Sequence, residues 1–406
     1  MKKIQTVVLS VITVLGLTGV GASVMAKSST PNQYHPKLLK GSRLGVCNKP
    51  VTSAMHCFAK VVSNQSNTPD VTSGPTGYSP TQFHTAYQLP ATSAHPATIA
   101  VVAAYDNPNI VNDLALYNQT FGLPSFPLCK GTVTTSCFLK VNQNGGTSYP
   151  SRNSGWALEI ALDVQTAHQI CQNCKLILVE ASSSSYTNLM KAVDRARLLG
   201  ANIISNSYGS NEFSSESTFD SHFNYPGIAF IFSSGDSGFV NSYPASSPNV
   251  ISVGGTTLNI DTQNHWLSET VWSDGGSGCS RYELKPTFQT DTPCTHRTNT
   301  DVSADADPNT GAAIYDSYGY SGYRGWFQVG GTSLAAPLIA GIYGLANNFE
   351  NLNQPVTYTY NNQNYGVNLH DITTGQNGGC GMYLCQGTVG YDGPTGLGSP
   401  LGLTAF

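Results

Sequence analysis

The sequence predicts an α/β fold with a central, mostly parallel β-sheet flanked by helices. Short, continuous apolar runs rich in β-branched residues recur along the chain, stretches of helical periodicity lie between them, and the runs stop at turn-forming residues. Strands covered on both faces by crossover helices need an apolar side chain at every position, so such strands do not alternate.

Taken in order, Ala97 to Ala104 (ATIAVVAA) is the first such run, and Tyr105, Asp106, Asn107 and Pro108 end it. Lys175 to Val179 (KLILV), Ala201 to Ser205 (ANIIS), Ile228 to Phe232 (IAFIF) and Val250 to Val253 (VISV) read as further strands. Helical patterns cover Gly155 to Gln169 and Tyr186 to Leu199, and an apolar helical stretch, Leu338 to Leu345, comes late. In open parallel sheets ligands sit beyond the carboxyl ends of the strands, so residues just past each strand are the first functional candidates. The main domain is expected over 78–406. Before it, 27–77 is rich in Ser, Thr, Asn and Pro and reads as an N-terminal tail or short pro-segment, pinned by Cys47 and Cys57. It is too short to build a core of its own, so it is either a small strap or a permanently attached arm.

Residues 1–26 read as a secretory signal peptide. Lys2 and Lys3 precede an uncharged stretch from Val7 to Val20, and Val24, Met25 and Ala26 offer a cleavage site before Lys27. Ser10, Thr13, Gly16, Thr18 and Gly19 interrupt the stretch, which disfavours a membrane anchor. The mature protein is therefore expected outside the cell, without stable membrane association. Cysteine usage agrees with an oxidising compartment: ten cysteines fall as near neighbours, Cys47 with Cys57, Cys129 with Cys137, Cys171 with Cys174, Cys279 with Cys294 and Cys380 with Cys385. Five short-loop disulfides are the simplest pairing, although sequence leaves connectivity open and Cys171-x-x-Cys174 alone could be a redox or metal half-site.

Composition removes other classes. Of 406 residues only 10% are charged, against about 25% in an ordinary globular domain. Nineteen basic and 23 acidic residues give a net charge of −4, which supplies no basic field for nucleic acid. The 21 Tyr, 15 Phe and 4 Trp exclude disorder.

Chemistry concentrates in three places. Gly330-Gly331-Thr332-Ser333-Leu334-Ala335-Ala336-Pro337 puts a serine at the start of an apolar helix, where a backbone amide and the helix dipole favour a neighbouring oxyanion. Taken alone, a Gly-Thr-Ser helix cap explains this as well. In the helix from Gly155, Glu159 and Asp163 stand four residues apart on one face among Leu158, Ile160, Ala161 and Leu162. Two neighbouring, desolvated carboxylates cannot both ionise easily, so one keeps a proton and the pair suits general acid–base work under acid conditions. Finally, Ser233-Ser234-Gly235-Asp236-Ser237-Gly238 places Asp236 at the end of a strand beside a glycine-rich turn, a position that an Asx turn also explains.

These motifs, with GYSPTQFHTAY (Gly77 to Tyr87), the segment from Ala104 to Pro124, DVSADADP (Asp301 to Pro308), HDITTG and GYDGPTGLGSP, resemble the sedolisin family of serine-carboxyl peptidases over residues 78–404. The resemblance implies a subtilisin-like fold with a C-terminal calcium-binding loop region. It implies a secreted, acid-acting endopeptidase with Ser333 as nucleophile, Glu159 as general base and acid, Asp163 orienting Glu159, and Asp236 as oxyanion donor. It also implies one structural Ca²⁺ held by Asp371, Asp392 and the carbonyls of Ile372, Thr388 and Gly390, all hard oxygen ligands. Protein and peptide substrates, and a monomer, are expected. The chain departs from the family pattern at Ala103, where a further acid is frequent, and at Tyr208, where a Trp is frequent; Asp106 is a candidate substitute in the carboxylate network. Asp305 and Asp307 read either as acids facing the cleft or as turn caps. A subtilisin with a His base is disfavoured because no His precedes a Gly and Ala103 stands where its Asp would be. A catalytically inactive binding protein on the same fold is the other alternative. The scarcity of charge fits an acid environment, since a neutral polar surface has few carboxylates to protonate.

Overall fold

A computed structural model describes residues 37–47, 54–130 and 136–406; the signal peptide expected over 1–26 lies outside these residues. The chain begins with short strands Ser42–Gly45 (β1), His56–Cys57 (β2), Lys60–Ser63 (β3) and Val71–Thr72 (β4), then helix Pro80–Ala86 (α1). Thr98–Ala104 (β5), Ile110–Phe121 (α2), Phe138–Asn142 (β6), Ser154–Ile170 (α3), Lys175–Ala181 (β7) and Tyr186–Leu198 (α4) follow. Next come Ile203–Asn206 (β8), Tyr208–Asn211 (β9), Ala229–Ser233 (β10), Ser242–Tyr243 (β11), Ile251–Ile260 (β12) and Trp266–Val271 (β13). A ribbon of Cys279–Leu284 (β14) and His296–Thr298 (β15) leads to Val302–Asp305 (β16), the hairpin Ala312–Tyr320 (β17) and Tyr323–Gly330 (β18), and helix Thr332–Ala346 (α5).

The expected apolar runs all fall in one sheet, ordered β13-β12-β10-β8-β5-β7-β6, with β16 also on β12. Every pairing in it is parallel except β12 with β13. Ile99 to Ala104 on β5 are all buried, as a strand covered on both faces requires. Helices α3 and α5 lie against each other, and α4 covers β5 and β7. The α3–α5 contact is close enough to need glycine: a Cβ on Gly341 would stand 2.5 Å from Ile170 Cβ. Two helices that approach this far bury their side chains nearly all round, which is why α3 carries Leu158, Ile160, Ala161 and Leu162 on every face and not in a stripe.

No break in the fold occurs near residue 77; 36–406 form one unit. Strand β1 pairs antiparallel with β3, β3 with β18, β4 with β18 and β18 with β17. The N-terminal arm therefore shares a sheet with the hairpin that delivers the Ser333 turn. All five near-neighbour disulfides are formed, so Cys171 and Cys174 are bonded to each other. Among the described residues no helix is long and apolar enough to cross a membrane.

Candidate active site

Helix α3 sets Glu159 and Asp163 side by side, and both are wholly buried. Asn153 starts the helix by accepting from the amides of Gly155 and Trp156 at 3.1 Å each, which fixes the register that aims both carboxylates the same way. Asp163 Oδ1 accepts from Ser207 Oγ at 2.7 Å, and Glu159 Oε2 accepts from the Ala59 amide at 3.0 Å. Burial lifts both carboxyls well above the usual carboxylate range, and the Asp163 charge pushes Glu159 further up; the Ser333 hydroxyl and the Ala59 amide act in the opposite direction. The pair titrates as a unit and retains a proton where an exposed pair would have lost both.

Ser333 is the second residue of α5 and is buried against this pair. Its Oγ donates to the Ser207 carbonyl at 3.3 Å and accepts from the Phe58 amide at 3.1 Å. Pro337, four residues on, has no N–H to return to the Ser333 carbonyl. Ser207 Oγ, in the link between β8 and β9 and with its one proton given to Asp163, lies 3.4 Å from that carbonyl.

Asp236 lies opposite. Its Oδ1 accepts from the Thr332 amide and hydroxyl at 2.9 and 2.8 Å, while Oδ2 is buried and has no hydrogen-bond partner among the described residues. Burial raises this carboxyl to about 6, with the Lys60 ammonium and the Thr332 donors working against it. In acid, then, the proton belongs on Oδ2, the oxygen with no donor to serve. Gly331, with φ of 94°, borders the same space: a Cβ there would stand 2.8 Å from Asp236 Oδ2 and 1.9 Å from the Phe58 carbonyl oxygen.

Ser333, Glu159, Asp163 and Asp236 thus gather at the carboxyl end of the parallel strands. The sequence reading passed over Ser207, Thr332 and the arm residues Phe58, Ala59 and Lys60; serines and threonines are too common to mark a site, and the arm is remote in sequence. Asp106 does not extend the carboxylate pair. It is held by Lys140 at 2.5 Å and Arg152 at 3.7 Å. The Tyr208 hydroxyl donates to Asn206 Oδ1, and Ala103 is buried within β5. Asp305 accepts from the Leu258 amide and the Thr310 hydroxyl, and Asp307 caps Asn309 and meets Arg43, so both act as braces for turns.

At the far C-terminal loop, Asp371 accepts from the Gly390 amide at 3.0 Å, and Asp392 accepts from the Thr388 and Thr395 amides at 2.9 Å each. Asp392 is wholly buried, and burial together with the Asp371 charge raises it to about 7. Two carboxylates drawn together in a loop with turn carbonyls form a hard, anionic oxygen set that suits a calcium ion.

Residues 131–365 match the subtilase family. The chain is 31% identical to sedolisin of Pseudomonas sp. (strain 101) over 399 residues, covering 88% of this chain and 65% of that protein, and so spans just under two thirds of it. It is 26% identical to kumamolisin of Bacillus sp. (strain MN-32), covering 88% of this chain and 68% of that one. The solved structure of Pseudomonas sedolisin, described as a serine-carboxyl proteinase complexed with two molecules of pseudo-iodotyrostatin, superposes with a TM-score of 0.67 and 28% identity, over 80% of this chain and 96% of the other.

Proposed function

The chain belongs to the sedolisin family, within the subtilases, and on that premise we propose that it is a secreted serine-carboxyl endopeptidase that hydrolyses peptide bonds of protein substrates in acid through an acyl-enzyme on Ser333. The observation that carries this reading is the buried Glu159–Asp163 pair adjoining the Ser333 hydroxyl, a base that works where histidine would be fully protonated.

In the mechanism, Glu159 takes the proton of Ser333 as Oγ attacks the peptide carbonyl carbon. Asp163, braced by Ser207, holds Glu159 in place and shares its proton. The oxyanion forms beside Gly331 and is met by the proton on Asp236 Oδ2, whose other oxygen is locked by Thr332. Glu159 then delivers its proton to the departing amine, and water repeats the sequence on the ester. A carboxyl group donates only while protonated, so turnover belongs to acid pH.

A calcium ion fits the C-terminal loop. Asp371, Asp392 and the carbonyls of Ile372, Thr388 and Gly390 would hold it, and it would supply a cross-link between loop segments, taking no part in bond breaking.

Casein digestion across pH 2 to 8, with Ser333→Ala as control, tests the reading. Digestion that is confined to acid and lost in the variant is the expected result; a rate unchanged up to pH 8 would sink the role of Asp236.

A further inference from the structure

A second group of buried carboxyls joins the ribbon β14–β15 to the body of the fold. Strand β14 pairs with β15 alone, so its inner face is held to the body by side chains. Its two buried residues are Ser280 and Glu283, and both land on acids. Ser280 Oγ donates to Glu212, just past β9. Glu283, only 3% exposed, meets half-buried Asp220 on the 3₁₀ turn Glu216–Phe223, and the two carboxyls are hydrogen-bonded to each other.

Two carboxyl groups make that bond only when one of them carries a proton, and the neighbours decide which. Asp220 accepts from the Tyr243 hydroxyl at 2.9 Å and from the Ser247 hydroxyl. Glu283 Oε1 is buried and receives no donor among the described residues, so the proton sits on Glu283 and is given to Asp220. The surroundings add negative charge. Glu216, wholly buried, accepts from the Phe213 amide at 2.6 Å and the Ser246 hydroxyl at 3.3 Å, and Glu212 stands close enough to act on Glu283 as well. Among the described residues none of these four carboxyls forms an ion pair. His222, on the same turn, is engaged with Asp194 of α4 at 2.9 Å, and exposed Arg281 offers Glu212 its backbone amide at 3.3 Å. Tyr186 and Tyr243 face the group as neutral phenols, since burial holds both well above their ordinary range. Burial and the Asp220 charge raise Glu283 to about 8.

The ribbon borders the loop that follows Asp236. Asn241 Nδ2 donates to Glu212 at 3.4 Å, and a Cβ on Gly278 would stand 2.6 Å from Asn241 Oδ1, so the base of the ribbon lies flush on that loop. Beside this contact is a cavity of about 310 Å³ walled by Glu212, Val240, Asn241, Cys279 and Arg281. We propose that Glu283 and Asp220 form an acid-closed clasp, which holds β14 and the wall of this cavity against the body and opens when their shared proton is lost. With both groups ionised, two carboxylates face each other in a dry setting with no cation between them, and β14 comes off the turn. In the opened ribbon Glu283 reaches water and binds a proton less tightly. Closure is therefore complete below the ordinary glutamate range, near pH 4, and is lost as pH rises through about 8. The clasp goes beyond the peptidase reading and does not rest on it.

The test is hydrogen exchange of the purified full chain at pH 5 and pH 8, read as protection relative to an unstructured chain at the same pH. Release of one proton on opening raises the opening constant by up to about tenfold per pH unit. Protection of the β14 amides is expected to fall at least tenfold from pH 5 to pH 8, while amides of β10 and β12 in the main sheet keep theirs. Glu283→Gln replaces the acid by an amide that donates to Asp220 at every pH, and its β14 protection is expected to be equal at both. Equal β14 protection in the wild type at the two pH values overturns the proposal without any variant. A fall shared equally by β10 and β12 overturns it too, because the whole fold is then opening, and so does a fall of the same size in Glu283→Gln. Exchange needs no turnover, so failure of the peptidase reading leaves this test intact, and failure of the clasp leaves that reading standing.

Discussion

Ser207 Oγ donates to Asp163 Oδ1 at 2.7 Å. The residue sits between β8 and β9, and its carbonyl also accepts from Ser333 Oγ, so one serine ties Asp163, proposed to orient the base, to Ser333, the proposed nucleophile. Its hydroxyl favours the charged form of Asp163, against the burial that disfavours it.

Ser207→Ala should therefore slow the reaction and displace its acid limb. Removing the hydroxyl raises Asp163 further, so the pair gains its first excess proton at higher pH and the base is lost earlier as pH falls. A hydrogen bond to a charged group is worth about 1.5–3 kcal/mol, which corresponds to a drop of about tenfold or more in kcat/KM. A kcat/KM profile with its acid limb unmoved would show that Ser207 is only a packing contact.

Asp236→Asn separates the donor from its proton. The wild-type carboxyl, raised to about 6, donates below that pH and loses the ability as pH rises through it. An amide keeps its N–H₂ at every pH, and its oxygen can accept from Thr332 as Oδ1 does. The variant is expected to be slower than wild type in acid but to retain its rate between pH 6 and 8, where the wild type falls. Two pH–kcat curves of the same shape would assign the alkaline limb to another group.

Why part of this was legible in sequence and part was not has physical reasons. Runs such as Ile99 to Ala104 announce themselves because both faces of a parallel strand are dry, and the Ser333 turn does so because its glycines, serine and proline each have a separate geometric task. Strand β6, with sequence FLKVN, escaped notice: Lys140 looks wrong in a buried strand until Asp106 and Glu180 are seen pairing with it at 2.5 and 3.2 Å. The hairpin β17–β18 and the arm strands are antiparallel, short and mixed in polarity, so neither period dominates. The meeting of Phe58 and Ala59 with Ser333 and Glu159 joins residues 275 and 100 positions apart, which no local pattern encodes.

Chelation should lower the melting temperature. An ion at a concentration one hundred times its Kd adds about 2.7 kcal/mol to the folded state, and removing it returns that amount. Asp392→Asn should reproduce the loss, and chelator should then have no further effect. A melting temperature indifferent to chelator in the wild type would mean that Asp371 and Asp392 only brace the loop through Gly390, Thr388 and Thr395.

Buried titratable groups make stability depend on pH in two opposing ways. Burial raises Glu180 and Glu216 to about 8 and Asp316 to about 7. For each, the folded state binds the proton more tightly than the unfolded chain does. The stability this adds is complete below the ordinary carboxylate range, near pH 4, and is lost as pH rises through the folded values. His168 works the other way: burial lowers it to about 4, its ring stacks on Phe126 with centroids 4.1 Å apart, and neither ring nitrogen has a partner among the described residues. Its contribution is complete above pH 6.5 and is lost as pH falls to 4, at most about 3 kcal/mol. The carboxyls outnumber it, so the melting temperature is expected to rise from pH 8 to pH 5, and His168 to limit the gain below that. His168→Leu conserves volume and breaks no hydrogen bond. It should raise the melting temperature at pH 3.5 more than at pH 8, and an equal change at both would show that the imidazole stays neutral or reaches water. Stability in acid would then draw on two features, the scarcity of charge in the sequence and the burial of carboxyls such as Glu180, Glu216 and Asp316.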